Sequence, residues 1–150
     1  MSNLLLQFRI PEKLEKALDQ SIYCVKGSVG AGRWTDVPWV AIFDKRITTS
    51  ARKGVYIVYL FNKDNKTLFL TLNQGATNIL ERGGFHSGDS LFTGIASTNN
   101  IRTINALKQN ANTIFKMINP TSNFSSPNID TGSKAFDAGC IMGIIIPAIN

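Results

Sequence analysis

Apolar residues crowd into four short blocks, at 23–29, 37–43, 55–61 and 67–72, each bounded by Gly, Pro, Asn, Asp or Ser. Blocks of this length, rich in Val, Ile, Tyr and Phe, predict β-strands rather than helices. The helical period appears elsewhere. Residues 11–18 open on Pro11 and carry Glu12 early, which suits a first helical turn. Ile101, Ile104, Leu107, Ala111, Ile114, Phe115 and Ile118 trace one apolar stripe, with Thr98 or Asn99 as the cap candidate. A short helix is expected over 76–82, ended by Gly83-Gly84, and another from near Ser133 after a Ser/Asn/Pro-rich loop. The apolar end Gly139-Cys140-Ile141-Met142-Gly143-Ile144-Ile145-Ile146 is too short to span a membrane and reads as a buried helix or strand. Helix, a run of strands, then helices predicts an α+β fold. Its centre is a mixed or antiparallel sheet of about four to five strands with flanking helices.

A chain of 150 residues is one domain by size, and residues 1–150 are treated as such. So apolar an end makes most sense if the chain is the N-terminal part, or a fragment, of a longer protein. The formal net charge of +6 changes the picture more, because it points to a polyanionic partner, nucleic acid first and an acidic membrane surface second. Asn3-Leu4-Leu5-Leu6-Gln7-Phe8 is too short for a signal segment, so a cytoplasmic protein without a membrane role is expected. Cys24 and Cys140 lack CxxC spacing and read as buried free thiols. Two distant cysteines and the single His86, itself a loop residue between Phe85 and Ser87, do not make a zinc site. No metal and no cofactor is expected.

The candidate chemistry lies between Lys26 and Gly75. Gly27-Ser28-Val29-Gly30-Ala31-Gly32-Arg33-Trp34 is a glycine-rich loop followed by a cation and an indole. It is no phosphate loop, since Lys and Ser/Thr should follow the last glycine, where Arg33 and Trp34 stand. A turn presenting Arg33 and Trp34 to a flat anionic ligand remains, beside a plain hairpin with no ligand. Lys26, Arg33, Lys45, Arg46, Arg52 and Lys53 gather around this loop and the 47–53 crossover, where they are expected to contact phosphates. In the third strand Tyr56, Val58 and Leu60 share one face, and with Trp39 they could line an aromatic cleft able to hold an extruded base. For an apolar strand the usual answer is that Trp39, Tyr56 and Leu60 are simply core. Asp44, Asp64 and Lys66 mimic the acid…acid-x-Lys pattern of metal-dependent nucleases, although Asp64 falls in a turn cluster, a poor place for rigid ligands.

Three segments carry a resemblance: Gly27-Ser28-Val29-Gly30 through Val37-Pro38-Trp39-Val40-Ala41-Ile42-Phe43; Lys53-Gly54-Val55-Tyr56-Ile57-Val58-Tyr59-Leu60-Phe61; and Leu70-Thr71-Leu72-Asn73-Gln74-Gly75. Together they resemble the N-terminal domain of McrB-type restriction proteins, and Phe136-Asp137-Ala138-Gly139 adds a weaker match. The resemblance implies a non-catalytic module that binds double-stranded DNA and reads modified cytosine, of the 5-methylcytosine type, by base flipping. It implies that a GTP-driven motor domain and a nuclease subunit act as partners, and that Trp39, Tyr56 and Leu60 form the modified-base pocket. Some relatives carry an aromatic wedge where this chain has Ala31, so Arg33 or Trp34 is expected to fill that role. The alternatives are a metal-dependent nuclease at Asp44, Asp64 and Lys66, or a module for single strands or RNA without a modification test.

Overall fold

The computed structural model describes residues 5–29, 37–62, 66–76, 101–118 and 129–146. Five strands form one sheet in the order β1 (Tyr23–Ser28), β2 (Trp39–Asp44), β3 (Val55–Phe61), β4 (Leu68–Gln74) and β5 (Cys140–Ile146). Every neighbouring pair is antiparallel. The fold is therefore α+β, as the sequence pattern predicts. Of its two sheet options, the antiparallel one is realised. Three α-helices accompany the sheet among the described residues: α1 (Ile10–Lys16), α2 (Ile101–Ile118) and α3 (Lys134–Gly139). A π-helical turn, Leu5–Arg9, leads into α1. The helix expected over 76–82 lies outside the described residues apart from Ala76, which is not helical.

Strand alternation sorts the side chains onto two apolar faces. On the first face Trp39, Ala41 and Phe43 of β2 meet Tyr56, Val58 and Leu60 of β3 and Phe69 of β4. Val37, Ile129, Phe136 and Cys140 pack against them to form the main core. On the second face Ile10, Leu14 and Leu18 of the N-terminal helical region cover Val25 and Val40, with Ile42, Tyr59 and Phe61 alongside. Ile104 and Leu107 of α2 make a third cluster with Ala138 of α3 and Ala76.

The apolar C-terminal run resolves as the strand β5, paired to β4 from Leu68↔Ile146 to Asn73↔Cys140. Consecutive β-branched isoleucines fit a pleated edge better than a helix turn. Where β4 ends, Gly75 is wedged against the crossover. A Cβ there would lie 2.1 Å from the Arg52 carbonyl carbon, so only glycine lets the 45–54 segment close onto the sheet. Its amide donates to the Gly54 carbonyl at 2.9 Å, which locks that approach.

Candidate nucleic-acid interface

Trp39 and Leu60 sit directly opposite each other in the β2–β3 ladder. Leu60 is fully buried, whereas Trp39 is half-buried and packs at the margin of the main core. Tyr56 shares their face but stands four residues from Leu60, about 13 Å along the strand. Its ring lies 5.3 Å from that of Phe43 at 50°, and its hydroxyl donates to the Ala51 carbonyl at 2.9 Å. Burial leaves Tyr56 only 3% exposed and pushes its phenol well above the usual tyrosine range. Tyr56 is therefore a packed ring with a fixed hydroxyl, and it offers no proton-transfer chemistry near neutral pH. Trp39 is the member of the trio with surface to offer at the margin; Leu60 and Tyr56 stand beneath the surface of the same face.

Five of the six expected cations are described, and they gather on the crossover side of the sheet. Ser28 pairs with Trp39, so the chain leaves β1 and re-enters β2 at the Trp39 end of the sheet. The 45–54 crossover joins β2 to β3 at the other end, five residues away, or about 17 Å. Successive hairpins of an antiparallel meander turn at alternate ends, so the crossover lies at the end of the sheet opposite Trp39. Lys45, Arg46, Arg52 and Lys53 belong to the crossover and are exposed. Lys26 joins them from β1: its Nζ donates to the Thr49 carbonyl at 2.6 Å and lies 5.9 Å above the Phe43 ring. Lys45 donates to the Gln20 carbonyl at 2.6 Å. Arg46 is forked onto Asp44, Nε to Oδ1 at 2.9 Å and Nη2 to Oδ2 at 2.6 Å. The hydrogen bond to Arg46 holds the Asp44 carboxyl at about 2 and raises the guanidinium in turn. Part of the Arg46 charge is thus answered within the protein. Arg33 and Trp34 lie outside the described residues, as do Asp64 and His86.

The two described members of the nuclease pattern, Asp44 and Lys66, stand at opposite ends of the sheet. Asp44 ends β2 at the crossover end and is committed to Arg46, while Lys66 precedes β4 at the end where Phe61 pairs with Leu68. Among the described residues, no group of three or more His, Cys, Asp or Glu side chains could hold a metal ion. Cys24 and Cys140 are free, and burial pushes the Cys140 thiol up to about 12, so it is unreactive.

Sequence reasoning assigned no role to a buried polar seam between β4, α2 and α3. Asn73, fully buried, donates from Nδ2 to the Phe136 carbonyl at 3.0 Å and accepts from the Gln74 amide at 2.8 Å. Gln74 donates to the Leu107 carbonyl at 2.9 Å, and Asn110 donates to Gln74. At the entry to α3, the Asp137 carboxylate accepts from the Thr131 amide at 3.0 Å and hydroxyl at 2.6 Å. The available signal was Asn73-Gln74 closing an apolar strand, where two amides need buried partners.

Among the described residues no helix is long and apolar enough to cross a membrane. No curated protein and no solved structure matches the chain. A family model does, the one described as MrcB-like, N-terminal domain, over residues 3–146. With nearly the whole chain matched, and with the antiparallel α+β architecture above, this protein belongs to the MrcB-like N-terminal domain family.

Proposed function

We propose that this chain is the DNA-recognition module of a modification-dependent restriction system, reading modified cytosine of the 5-methylcytosine type by base flipping. The observation that carries the reading is the Trp39–Leu60 pair: a half-buried indole directly across from a fully buried leucine, on the sheet face that also holds Tyr56. An extruded base needs an aromatic surface to replace lost stacking and a dry apolar contact for a C5 substituent. Trp39 supplies the first and Leu60 the second, with Tyr56 walling the deeper part of the same face. Arg33 or Trp34 takes the wedge role in place of Ala31. Lys26, Lys45, Arg52 and Lys53 hold the backbone electrostatically, joined by Arg33 and, more weakly, by Arg46.

The module itself catalyses nothing. A GTP-driven motor domain and a nuclease subunit supply cleavage, and the complex works in the cytoplasm. Family membership and the formal charge of +6 support this reading. The test is a mobility-shift titration with one duplex carrying cytosine, 5-methylcytosine or 5-hydroxymethylcytosine at a single site. Tighter binding of a modified duplex is expected. Equal affinity for all three, or tighter binding of single strands or RNA, would falsify the reading.

A further inference from the structure

Trp39, Tyr56 and Leu60 need a second wall, because a flat sheet face alone does not enclose a base. The segment from Ile129 to Cys140 supplies apolar groups against that face, with Ile129, Phe136 and Cys140 in the same core cluster. Polar contacts add to this apolar packing in holding the segment at its height above the sheet. Asn73 lies on the same face as Tyr56, its cross-strand partner, and is fully buried. Its amide uses both ends, one on the Phe136 carbonyl and one on the Gln74 amide. Gly139 closes the fit from the other side. A Cβ at Gly139 would stand 2.5 Å from Asn73 Oδ1 and 3.0 Å from the Gln74 carbonyl oxygen, so α3 reaches this depth only with glycine there. Asp137 ties the entry to α3 through Thr131.

Resting on the reading proposed above, we infer that Asn73 is a positioning residue for modified-base recognition. Through its clamp on the Phe136 carbonyl and its contact with Gly139, it sets, from the Tyr56 end, how closely the 129–140 segment packs onto the face that Trp39, Tyr56 and Leu60 share. Asn73 touches neither base nor backbone of the DNA. That packing decides whether a C5 substituent is gripped or merely tolerated. Changing the clamp therefore alters the preference among duplexes, whereas the phosphate contacts, made by other residues, continue to hold DNA.

Two variants and one measurement on the parent protein test this. Asn73→Asp keeps the shape and the acceptor for Gln74 but removes the donor to Phe136. Gly139→Ala inserts a methyl group into the contact. In each folded variant, checked by a thermal melt, the preference for the 5-methylcytosine duplex is expected to be lost while binding of unmodified duplex persists. Lowering the pH should restore the preference in Asn73→Asp alone, because a protonated carboxyl again donates. The parent carries the same Asp137, Cys140 and Tyr56 around the clamp and is the control over that range. Independently of any variant, the Asn73 side-chain amide resonances of the parent should shift with methylated duplex and not with unmodified duplex. An unchanged preference in a folded variant, or equal amide shifts with both duplexes, overturns the role of Asn73 while leaving the wider reading intact. A parent without any preference for modified DNA overturns both.

Discussion

Asp44 and Arg46 form a two-point ion pair at the end of β2, and it ties up the one acidic side chain that the cationic crossover could have offered a metal. The pair has a pH signature. The folded carboxyl is held at about 2, below the ordinary aspartate value, so its contribution is present above the unfolded value and lost as pH falls through the folded one. In Asp44→Asn, acid unfolding between roughly pH 4 and pH 2 should be shallower than in the parent, read as the change in Tm with pH.

The same pair bears on cleavage. Purified protein should not nick plasmid DNA with Mg²⁺ or Mn²⁺. Metal-dependent nicking that disappears in Asp44→Ala would replace the recognition module with an enzyme.

Salt dependence should report the crossover. Affinity for DNA is expected to fall steeply with ionic strength, and each phosphate contact removed should flatten the log–log slope by about 0.9. Arg52→Ala and Lys53→Ala, both at exposed positions of the crossover, are each expected to reduce the slope. A slope untouched by the Arg52 and Lys53 changes would remove the crossover from the interface.

Within the proposed pocket the three residues should separate by role. A methyl group buried against Leu60 contributes about 1 kcal/mol, or roughly fivefold, to the preference for modified DNA. Leu60→Ala should erase that preference, but at full burial it also costs about 2–5 kcal/mol of stability, so Leu60→Met is the cleaner probe. Trp39→Ala should cost more total affinity with less damage to the fold, since the indole is only half-buried. Tyr56→Phe removes the bond to the Ala51 carbonyl and should lower stability by about 1 kcal/mol while keeping the base preference. A folded Trp39→Ala protein that prefers methylated duplex as strongly as the parent would place the pocket elsewhere.

Asp137 should behave oppositely to Asp44. Burial raises its carboxyl despite the two hydrogen bonds from Thr131. Its stabilising contribution is therefore complete below the ordinary aspartate value and lost as pH rises through the raised folded value. Asp137→Asn keeps an oxygen to accept from Thr131 and has no charge to desolvate. Its Tm should gain on the parent as pH rises from about 4 to 7. A constant difference across that range would show that the carboxylate is not penalised.

The sequence by itself determined the elements whose causes are local. The four blocks at 23–29, 37–43, 55–61 and 67–72 became β1 to β4 because β-branched and aromatic side chains with turn residues between them need little tertiary help. The stripe from Ile101 to Ile118 became α2, since its period matches the helix turn; the cap candidates Thr98 and Asn99 lie outside the described residues. Period-two alternation likewise put Tyr56 and Leu60 on one face. Only the tertiary structure decided the rest. Whether the final apolar run was helix or strand depended on the free edge of β4, a partner distant in sequence. Which cations stand near Trp39 depended on the hairpin order, which sends the crossover to the opposite end of the sheet. The Asn73–Phe136 clamp joins residues 63 positions apart, so the local pattern could mark Asn73-Gln74 as amides in need of buried partners but not name Phe136 as one. Periodicity specifies which face a side chain occupies; pairing and packing specify which distant groups it meets there.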